Sequence, residues 1–555
     1  MFFRKITSKS NGKEYTYVKL IENYREGNKV KQRVIANLGN IEELTPEKVQ
    51  GLISGLAKIC GLNDGLDNSI LTQRVLEFGN VLALHKIWQM LQIPEHIKKC
   101  AGALPNTPLL AEILTIHQLV KKHNVRKITD WYEQFYLPQM EGISISSDQF
   151  TRTLANLATI KEELEKAIFN AVQRFCPGSN NEVIFCHLTR GYLEQFPPGN
   201  GRQTGLSRSF IAAPLERRQV DLALLVNESG LPFGHRMFLG HLADGETVPR
   251  RISEIKEQYQ IKNCVFVGDQ QIITEENLQL LQAYGQEYIV GMPVRFNQEA
   301  TALTQYFYAP PTTYTRLHDS LLYREVVWRG HRYLICLSPL QAASKAKRLE
   351  HKLMEVEKEL ALIKQWVSEQ CKSNARINYY RASSILKNTY CKRYFTCHYD
   401  EQAQEFSFSR RQEVIDQELA LGGKFLIKTN CHYLDAGQII AAYHNYTLAR
   451  DEFRLIKKHE QSTGINTESQ LRGYVFVCVL AYLIKKTMEK ILTQGGLEIS
   501  PEHALELLED IKLTVNIYQN EELRYITPPN SLQEDILSLL GVKQLPRRLE
   551  KNALL

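Results

Sequence analysis

Asp269 is the residue whose position in this sequence best suits a catalytic or ligand-binding role. It follows a short apolar run, Cys264–Val267, and a glycine, and Leu278 and Leu281 come after it at helical spacing. This pattern predicts a buried strand, a tight turn and a helix. A strand that ends on an acid places the carboxylate at the rim of a sheet, where ligands of α/β folds commonly bind. The alternative is that Asp269 only closes the turn.

Cysteine–histidine pairs are the other candidates, because both side chains bind metals. Three occur, at Cys186-His187, Cys397-His398 and Cys431-His432. Neighbouring residues on a strand point to opposite faces, so no pair by itself predicts a zinc site. The eleven cysteines include no C-x-x-C pair, which indicates reduced thiols in a cytosol rather than a disulfide framework.

The composition, with 43% hydrophobic and 23% charged residues, is typical of a soluble globular protein. Its length predicts roughly three or four domains. The formal net charge is +7, and the first forty residues hold nine Lys or Arg against three Glu. This concentration of positive charge favours a polyanion as partner. The sequence has neither a signal-peptide core nor an apolar run that could span a bilayer, so we expect a cytoplasmic protein without membrane contact.

Residues 1–44 alternate in a way that predicts a basic β-hairpin or small sheet with its turn at residues 26–28. The return strand would place three basic residues on one face, close to tyrosines. Such a face can follow a phosphate backbone. The predicted contacts to double-stranded DNA are Lys19, Lys29, Lys31 and Arg33. The alternative is a solvated face of a half-buried sheet.

Hydrophobic spacing divides the rest of the chain into five segments. These are a helical domain at 45–176, the first part of an α/β core at 177–296, a β-rich and helical insertion at 297–420, the second part of the core at 421–493, and a partly helical tail at 494–555. Within 177–296, three antiparallel strands precede a strand–helix unit and one more strand. This order predicts a ribonuclease H-like core.

The long helix of the insertion carries apolar residues at alternating spacings of four and three. They are Leu349, Leu353, Val356, Leu360, Ile363 and Val367. Such an a/d seam predicts packing against another helix. The other helix belongs either to the same chain or to a second copy, which would make a homodimer.

Several segments, in their order along the chain, resemble a bacterial insertion-sequence transposase of the DDE type, in the subgroup marked by the motif Y-x2-R-x3-E-x6-K. They are FFRKITSKSNGKEYTYVKL, LLVNESGLPFGHRMFLGHLADG, VFVGDQQIITEENLQLL, GKFLIKTN, FRLIK and LRGYVFVCVLAYLI. The resemblance implies a ribonuclease H-like core interrupted by an insertion, and cleavage and transfer of DNA strands at transposon ends. It also implies a bacterial, nucleoid-associated protein.

The resemblance further implies two Mg²⁺ ions held by three acids. Two divalent ions about 3.5–4 Å apart activate the attacking oxygen and stabilise the leaving oxygen of a phosphodiester. Such hard cations prefer carboxylate oxygens as ligands.

Transferred residue by residue, this acid triad is incomplete. Asp269 matches the second acid, whereas His187 stands at the first position and Arg450 at the third. Tyr443 and Lys457 match the Tyr and the Lys of the motif. Because Tyr443, Arg450 and Lys457 lie at intervals of seven residues, they share one helix face.

Arg450 therefore points to where the third acid belongs and can pair with Asp269. The next two residues, Asp451 and Glu452, are rotated about 100° and 200° from that face, so neither is a ready substitute. Asp269 remains as a weak metal ligand, and a neutral His187 prefers softer metals than Mg²⁺. We expect Mg²⁺ binding and catalysis to be lost or impaired.

Three hypotheses follow. In the first, the protein is a transposase by descent that binds DNA but whose cleavage chemistry is lost or impaired. In the second, it is an active transposase in which another acid, Asp451 or Glu452, supplies the third ligand. In the third, it is a non-enzymatic DNA-binding protein derived from a transposase, such as a repressor of related elements.

Overall fold

The computed structural model describes residues 1–550 apart from 11–12, 28, 61–70, 121–127, 141–142, 175–182, 194–217, 240–256, 258–262, 271–274, 295–301, 309, 319, 370–374, 401–404, 455–466 and 519–520. The chain forms two compact units. Unit 1 comprises Met1–Glu77, Ile511–Pro528 and Leu545–Leu555, and unit 2 comprises Phe78–Asp510 and Pro529–Gln544.

The strands are β1 Phe2–Ser10, β2 Lys13–Glu26, β3 Lys29–Asn40, β4 Leu71–Glu77, β5 Val183–Leu193, β6 Arg218–Val226, β7 Pro232–Leu239, β8 Asn263–Asp269, β9 Glu287–Met292, β10 Thr315–His318, β11 Leu321–Trp328, β12 His331–Leu337, β13 Phe395–Asp400, β14 Glu405–Arg410, β15 Lys424–Thr429, β16 Lys512–Tyr518 and β17 Glu521–Ile526.

The helices are α1 Pro46–Ile59, α2 Gly79–Met90, α3 Ile93–Lys99, α4 Thr107–Val120, α5 Ile128–Trp131, α6 Ser147–Arg174, α7 Glu275–Ala283, α8 Thr304–Phe307, α9 Pro339–Glu369, α10 Ala375–Asn388, α11 Gln412–Leu421, α12 Ala436–Arg454, α13 Glu468–Gln494, α14 Pro501–Leu508 and α15 Ser531–Leu539. Within the described part of the chain, no helix combines the length and the apolarity needed to cross a bilayer.

Unit 1 holds two antiparallel sheets of three strands, with β2 central in one and β16 central in the other. The first sheet contains the expected hairpin of β2 and β3, and β1 pairs with β2 as a third strand, which agrees with the small-sheet alternative. The second sheet corrects one expectation, the helical prediction for the segment that contains β4. Strand β4 falls in the segment predicted to be helical, and β16 and β17 fall in the tail. Their pairing joins distant parts of the sequence, so local spacing did not indicate it.

Unit 2 contains a nine-stranded sheet with the order β10-β11-β12-β15-β9-β8-β5-β6-β7. Strands β5, β8 and β9 are parallel neighbours, whereas β6 and β7 continue the sheet antiparallel from β5. The run Cys264–Val267 of β8 is fully buried, as expected for a central strand covered on both faces. The expected strand–turn–helix at Asp269 is present, although residues 271–274 lie outside the described part.

The segment predicted as an insertion divides into two parts. Strands β10 to β12 extend the nine-stranded sheet through β15. The following part has its own core, in which the seam of α9 is buried. Leu353, Val356, Leu360 and Ile363 pack with residues of α10, α11 and the β13–β14 hairpin, so the seam finds its partner within the chain.

Helix α12 carries the residues expected at the third acid position. Asp435 caps it, because its carboxylate accepts a hydrogen bond from the Gln438 backbone N–H at 2.8 Å. The Gln438 side chain accepts one from the Asp435 N–H at 3.0 Å. The buried face of α12, including Ile439 and Tyr446, packs in one cluster with Val267 of β8. This packing fixes the rotation of α12 over the parallel strands.

Candidate functional site

Asp269 and His187 lie on the same face of neighbouring parallel strands. His187 on β5 stands opposite Val267 on β8, two residues before Asp269. Because side chains repeat on one face every second residue, Asp269 follows His187 along that face toward the strand end. The Asp269 side chain is 17% exposed, whereas His187 is buried. The structure therefore brings the first two predicted positions together on one face of the sheet, but it corrects the expected strand end at His187, because β5 continues to Leu193.

Arg450 completes this group from α12. Its Nη1 lies 3.4 Å from Asp269 Oδ2, and its Nη2 lies 3.2 Å from Asp451 Oδ1. The guanidinium carbon is 5.9 Å from the centre of the Tyr446 ring. Because the Arg450 side chain is 34% exposed, its ion pairs contribute little stability, but they place a fixed positive charge beside Asp269.

His187 is an uncharged imidazole in a closed environment. Its ring stands edge-on to Tyr446, with the ring centres 6.0 Å apart. Neither ring nitrogen has a hydrogen-bond partner among the described residues. Burial lowers the pKa of His187 to about 3, so the ring is neutral at physiological pH. It supplies neither a carboxylate nor a charge to the site.

Tyr443 closes the group on the side of β9. A Cβ built on Gly291 would lie 1.9 Å from the Tyr443 hydroxyl oxygen, so only glycine fits beneath this ring. Gly291 is the register partner of Asp269. Burial, followed by the charge of Asp269, raises the pKa of Tyr443 to about 12. Tyr443 therefore keeps its proton and can act as a hydrogen-bond donor.

Tyr446 is the residue of this site that sequence reasoning missed. It occupies the place of the Arg in the motif, and it contacts His187, Tyr443 and Arg450 through its ring. Burial, followed by the charge of Asp269, raises its pKa above the ordinary value. Its position three residues after Tyr443 was the available signal, since that spacing places both rings on one helix face.

The remaining predicted residues of the motif do not join the group. Lys457 lies outside the described residues. Asp451 contacts Arg450, and Glu452 contacts Lys485 Nζ at 2.6 Å. Neither acid is therefore placed as a third ligand beside Asp269.

The group does not fit Mg²⁺. Among the described residues, no three of His, Cys, Asp and Glu are placed to hold one metal ion. At an effective dielectric constant of 20, a divalent ion about 4 Å from a guanidinium is repelled by roughly 8 kcal/mol, which offsets its attraction to one carboxylate at the same distance. The described arrangement supports an internal ion pair rather than a metal centre.

A groove of about 690 Å³ opens beside Arg450. It is lined by Leu317, His318, Ser320, Leu321, Ser338, Gln341, Phe425, Gly437, Ile440, Ala441, Tyr443, His444, Thr447, Arg450 and Asp451. Burial lowers the pKa of His444, which favours its neutral form. Hydroxyl groups, imidazoles, one guanidinium and the Asp451 carboxylate line this space, and the hydroxyl and guanidinium donors suit an anionic group.

The four predicted DNA contacts do not share one face. Lys19 lies on β2, and Lys31 of β3 is the register partner of Tyr24 on β2. Tyr24 is an odd number of residues after Lys19, so the two side chains lie on opposite faces. Lys19 therefore faces the side opposite to Lys31 and Arg33. The side chain of Lys29 lies outside the described part. The register agrees with the predicted grouping of the basic residues of β3 on one face, and it places Lys19 on the other face.

Lys31 and Arg33 are also partly neutralised. Lys31 contacts Glu26, and Arg33 Nη2 lies 2.6 Å from Glu22 Oε2. Both glutamates belong to β2 and reach the lysine and arginine across the strand pair. The predicted basic face is therefore a mixed-charge face.

The comparisons with known proteins concern mainly the N-terminal region. Residues 3–64 match the family described as IS1634 family transposase, N-terminal domain. No curated protein matches the chain. A piggyBac transposase synaptic complex with hairpin DNA, solved by cryo-EM, matches with 9% identity over 80% of this chain and 82% of that one, at a TM-score of 0.30, which is too low to support an argument. The N-terminal region is similar to the N-terminal domain of IS1634 family transposases, and this confirms the predicted resemblance to insertion-sequence transposases.

Proposed function

We propose that this protein is a DNA-binding protein of the insertion-sequence transposase type whose metal-dependent strand cleavage is lost. The proposal combines a transposase-like N-terminal region with a site in which an arginine replaces an acid. Its partner is double-stranded DNA, in the first place the ends of a transposable element, and its setting is the bacterial nucleoid.

The arrangement of unit 2 supports a ribonuclease H-like core within this proposal. Three consecutive strands, β5 to β7, are antiparallel neighbours, and β8 and β9 lie parallel on the other side of β5. The sequence predicted this order. The resemblance implies that the first two acids lie on β5 and β8, at the positions of His187 within β5 and Asp269 at the end of β8 here.

The observation that carries the proposal is the contact between Arg450 and Asp269. In the proposed ancestor an acid at position 450 and Asp269 would share divalent ions. Here the guanidinium compensates the charge of Asp269, and the neutral His187 adds no ligand. A nucleophilic water would find neither the metal ions nor the carboxylates that activate it.

The same residues retain a capacity to bind. Arg450 carries five N–H donors, more than its contacts with Asp269 and Asp451 use. A phosphate oxygen in the adjoining groove can accept from the guanidinium and from the Tyr443 hydroxyl. The site would then hold a DNA strand without cutting it. Because the seam of α9 is buried within the chain, the proposal includes no homodimer through it.

The test compares Mg²⁺-dependent nicking of duplex DNA that carries the inverted-repeat ends of the element. The parent protein should bind this DNA and leave it intact. The double variant His187→Asp with Arg450→Glu should gain cleavage, because it restores both missing acids. The variant Arg450→Gln is the matched control: it removes the cation without adding a ligand, so it should remain inactive.

Robust Mg²⁺-dependent cleavage by the unmodified protein would overturn the proposal. If Asp451→Ala or Glu452→Ala then abolished that cleavage, the chain would be an active transposase with a displaced third acid.

A further inference from the structure

The two faces of the β1-β2-β3 sheet differ in charge. All three glutamates of β2, Glu14, Glu22 and Glu26, occupy even positions and therefore share one face. By the register between β2 and β3, Lys31 and Arg33 lie on this same face. We call it the glutamate face.

Among the described residues of β1, β2 and β3, none on the opposite face is an acid. It carries Lys19 and Arg25 from β2 and Arg4 from β1, since Arg4 is the register partner of Lys19. Asn23 and Gln32 complete its polar part. We call these five residues the acid-free face. Four of them are exposed and Lys19 is partly exposed, so the charges are open to a partner.

Two like charges stand directly opposite each other on this face. Side chains of register partners in an antiparallel pair have Cβ atoms about 4.5–5.5 Å apart, and like charges there are destabilising. Among the described residues, no carboxylate forms an ion pair with Arg4, Lys19 or Arg25, in contrast to Lys31 and Arg33. The sheet thus holds two cations close together without a compensating anion of its own.

Neutral hydrogen bonds keep the surrounding side chains in place. Arg4 Nη1 donates to Gln32 Oε1 at 3.3 Å, and Gln32 Nε2 donates to Asn23 Oδ1 at 3.0 Å. These contacts cross all three strands. They order the Arg4 side chain without neutralising its charge.

The dimensions of the face suit a duplex. Lys19 and Arg25 are six residues apart on one strand, which corresponds to about 20 Å at roughly 3.3 Å per residue. The major groove of B-DNA is about 12 Å wide. A row of this length reaches phosphates on both sides of such a groove.

We propose that the acid-free face is the surface of unit 1 that binds the phosphate backbone of double-stranded DNA. This inference rests on the proposed function and assigns it to Arg4, Lys19 and Arg25 instead of Lys31 and Arg33. Arg4 and Lys19 together receive one phosphate, and Arg25 receives a second one further along. The bound phosphate removes the repulsion between the two cations, so binding gains from a contact that is unfavourable in the free protein.

The experiment measures affinity for a linear DNA duplex of mixed sequence as a function of salt, using the full chain. Each phosphate contact contributes about 0.9 to the slope of log affinity against log salt concentration. The variant Arg4→Gln with Arg25→Gln should lower that slope by about 1, because Lys19 still holds the first phosphate, and weaken binding at least about tenfold at low salt. The matched control, Lys31→Gln with Arg33→Gln, removes the same charge and should leave the slope nearly unchanged.

Unfolding is separated from loss of binding by the melting temperature. Arg4→Gln relieves the repulsion with Lys19, so it should melt no lower than the parent while binding more weakly. A lowered slope that appears only in the Lys31 and Arg33 variant would overturn this assignment and leave the proposed function standing. Absence of salt-dependent duplex binding by the parent would overturn both. Tighter binding to duplex RNA than to duplex DNA would overturn the choice of partner.

Discussion

At the scale of single residues, the site is defined by what each side chain lacks. Asp269 faces the guanidinium of Arg450, which stands where the resemblance implies the third acid. Neither ring nitrogen of His187 has a hydrogen-bond partner among the described residues. A buried polar group without a partner costs about 1–3 kcal/mol. The edge-on contact with Tyr446 offsets part of that cost.

His187 should make the protein sensitive to acid. Its pKa in the folded state is lowered to about 3 by burial, while the unfolded chain has an ordinary histidine near 6.5. Below pH 6.5 the histidine is protonated in the unfolded state but not in the folded state, so the free energy of unfolding falls as the pH falls. The loss approaches about 1.4 kcal/mol per pH unit, or about 2 kcal/mol between pH 7 and pH 5.

The variant His187→Leu should lose this part of the pH dependence and be at least as stable as the parent at pH 5. Urea unfolding at both pH values, followed by tryptophan fluorescence, measures it, because all four tryptophans belong to unit 2. His351→Leu, which alters an exposed ring, serves as the control. An unchanged pH dependence in His187→Leu would show that the ring is not buried as described.

Restoring both acids should create a binding site for Mg²⁺ that is detectable without any cleavage assay. In the parent, the melting temperature should be the same with and without Mg²⁺, because Arg450 repels the ion. In His187→Asp with Arg450→Glu, Mg²⁺ at about 100 times its dissociation constant should add roughly 2.7 kcal/mol. Ca²⁺ provides a second cation without the cleavage reaction. A clear upward shift in the parent would contradict the account of Arg450.

At the scale of elements, rotation and register decide which residues meet. The cap at Asp435 and the apolar face of α12 set the helix over β5 and β8, and this brings Arg450 to Asp269. The sequence predicted both the shared face of Tyr443 and Arg450 and the contact with Asp269. Regular spacing along the helix was sufficient for the shared face, whereas the contact with Asp269 followed from the resemblance.

The charge of the N-terminal faces could not be predicted in the same way. The spacing within β3 correctly grouped Lys31 with Arg33, but it did not show that Glu22 lies across the strand pair from Arg33. That pairing depends on the register between β2 and β3, including its bulges, which local patterns leave open. Strand β1 was also missed, and with it Arg4.

The buried seam of α9 yields a prediction at the element scale. Leu360 is buried in the core formed by α9, α10 and the β13–β14 hairpin, whereas Leu362, two residues later, is 55% exposed. Leu360→Ala should cost about 2–5 kcal/mol and Leu362→Ala less than about 0.5 kcal/mol. Urea unfolding measured through Trp366, on the same helix, compares them. Equal effects would indicate that the seam is not packed within the chain.

At the scale of the whole molecule, unit 1 joins segments from both ends of the sequence. Strand β16 pairs with β4 on one side and with β17 on the other. Its buried residues Leu513 and Val515 tie these segments together. The helical prediction for residues 45–176 was wrong at β4. This seven-residue strand forms by pairing with β16, which lies far away in the sequence, so local patterns do not indicate it.

Breaking the central strand should release β4. Val515→Pro removes a hydrogen-bond donor from the central strand β16 and should destabilise the sheet of β4, β16 and β17. Hydrogen exchange should then accelerate at Leu71–Glu77, while the exposed-site control Val75→Ala leaves protection nearly intact. Continued protection of β4 in Val515→Pro would contradict the pairing.

The joining of distant segments in unit 1 has a consequence for synthesis on the ribosome. Strand β4 ends at Glu77, and β16 begins at Lys512. At bacterial elongation rates of about 5–20 residues per second, β16 is synthesised roughly 20 to 90 seconds after β4. During that interval one edge of the strand stays open to chaperones or to other nascent chains. A message interrupted before codon 511 would yield a polypeptide able to build the nine-stranded sheet but never the second sheet of unit 1.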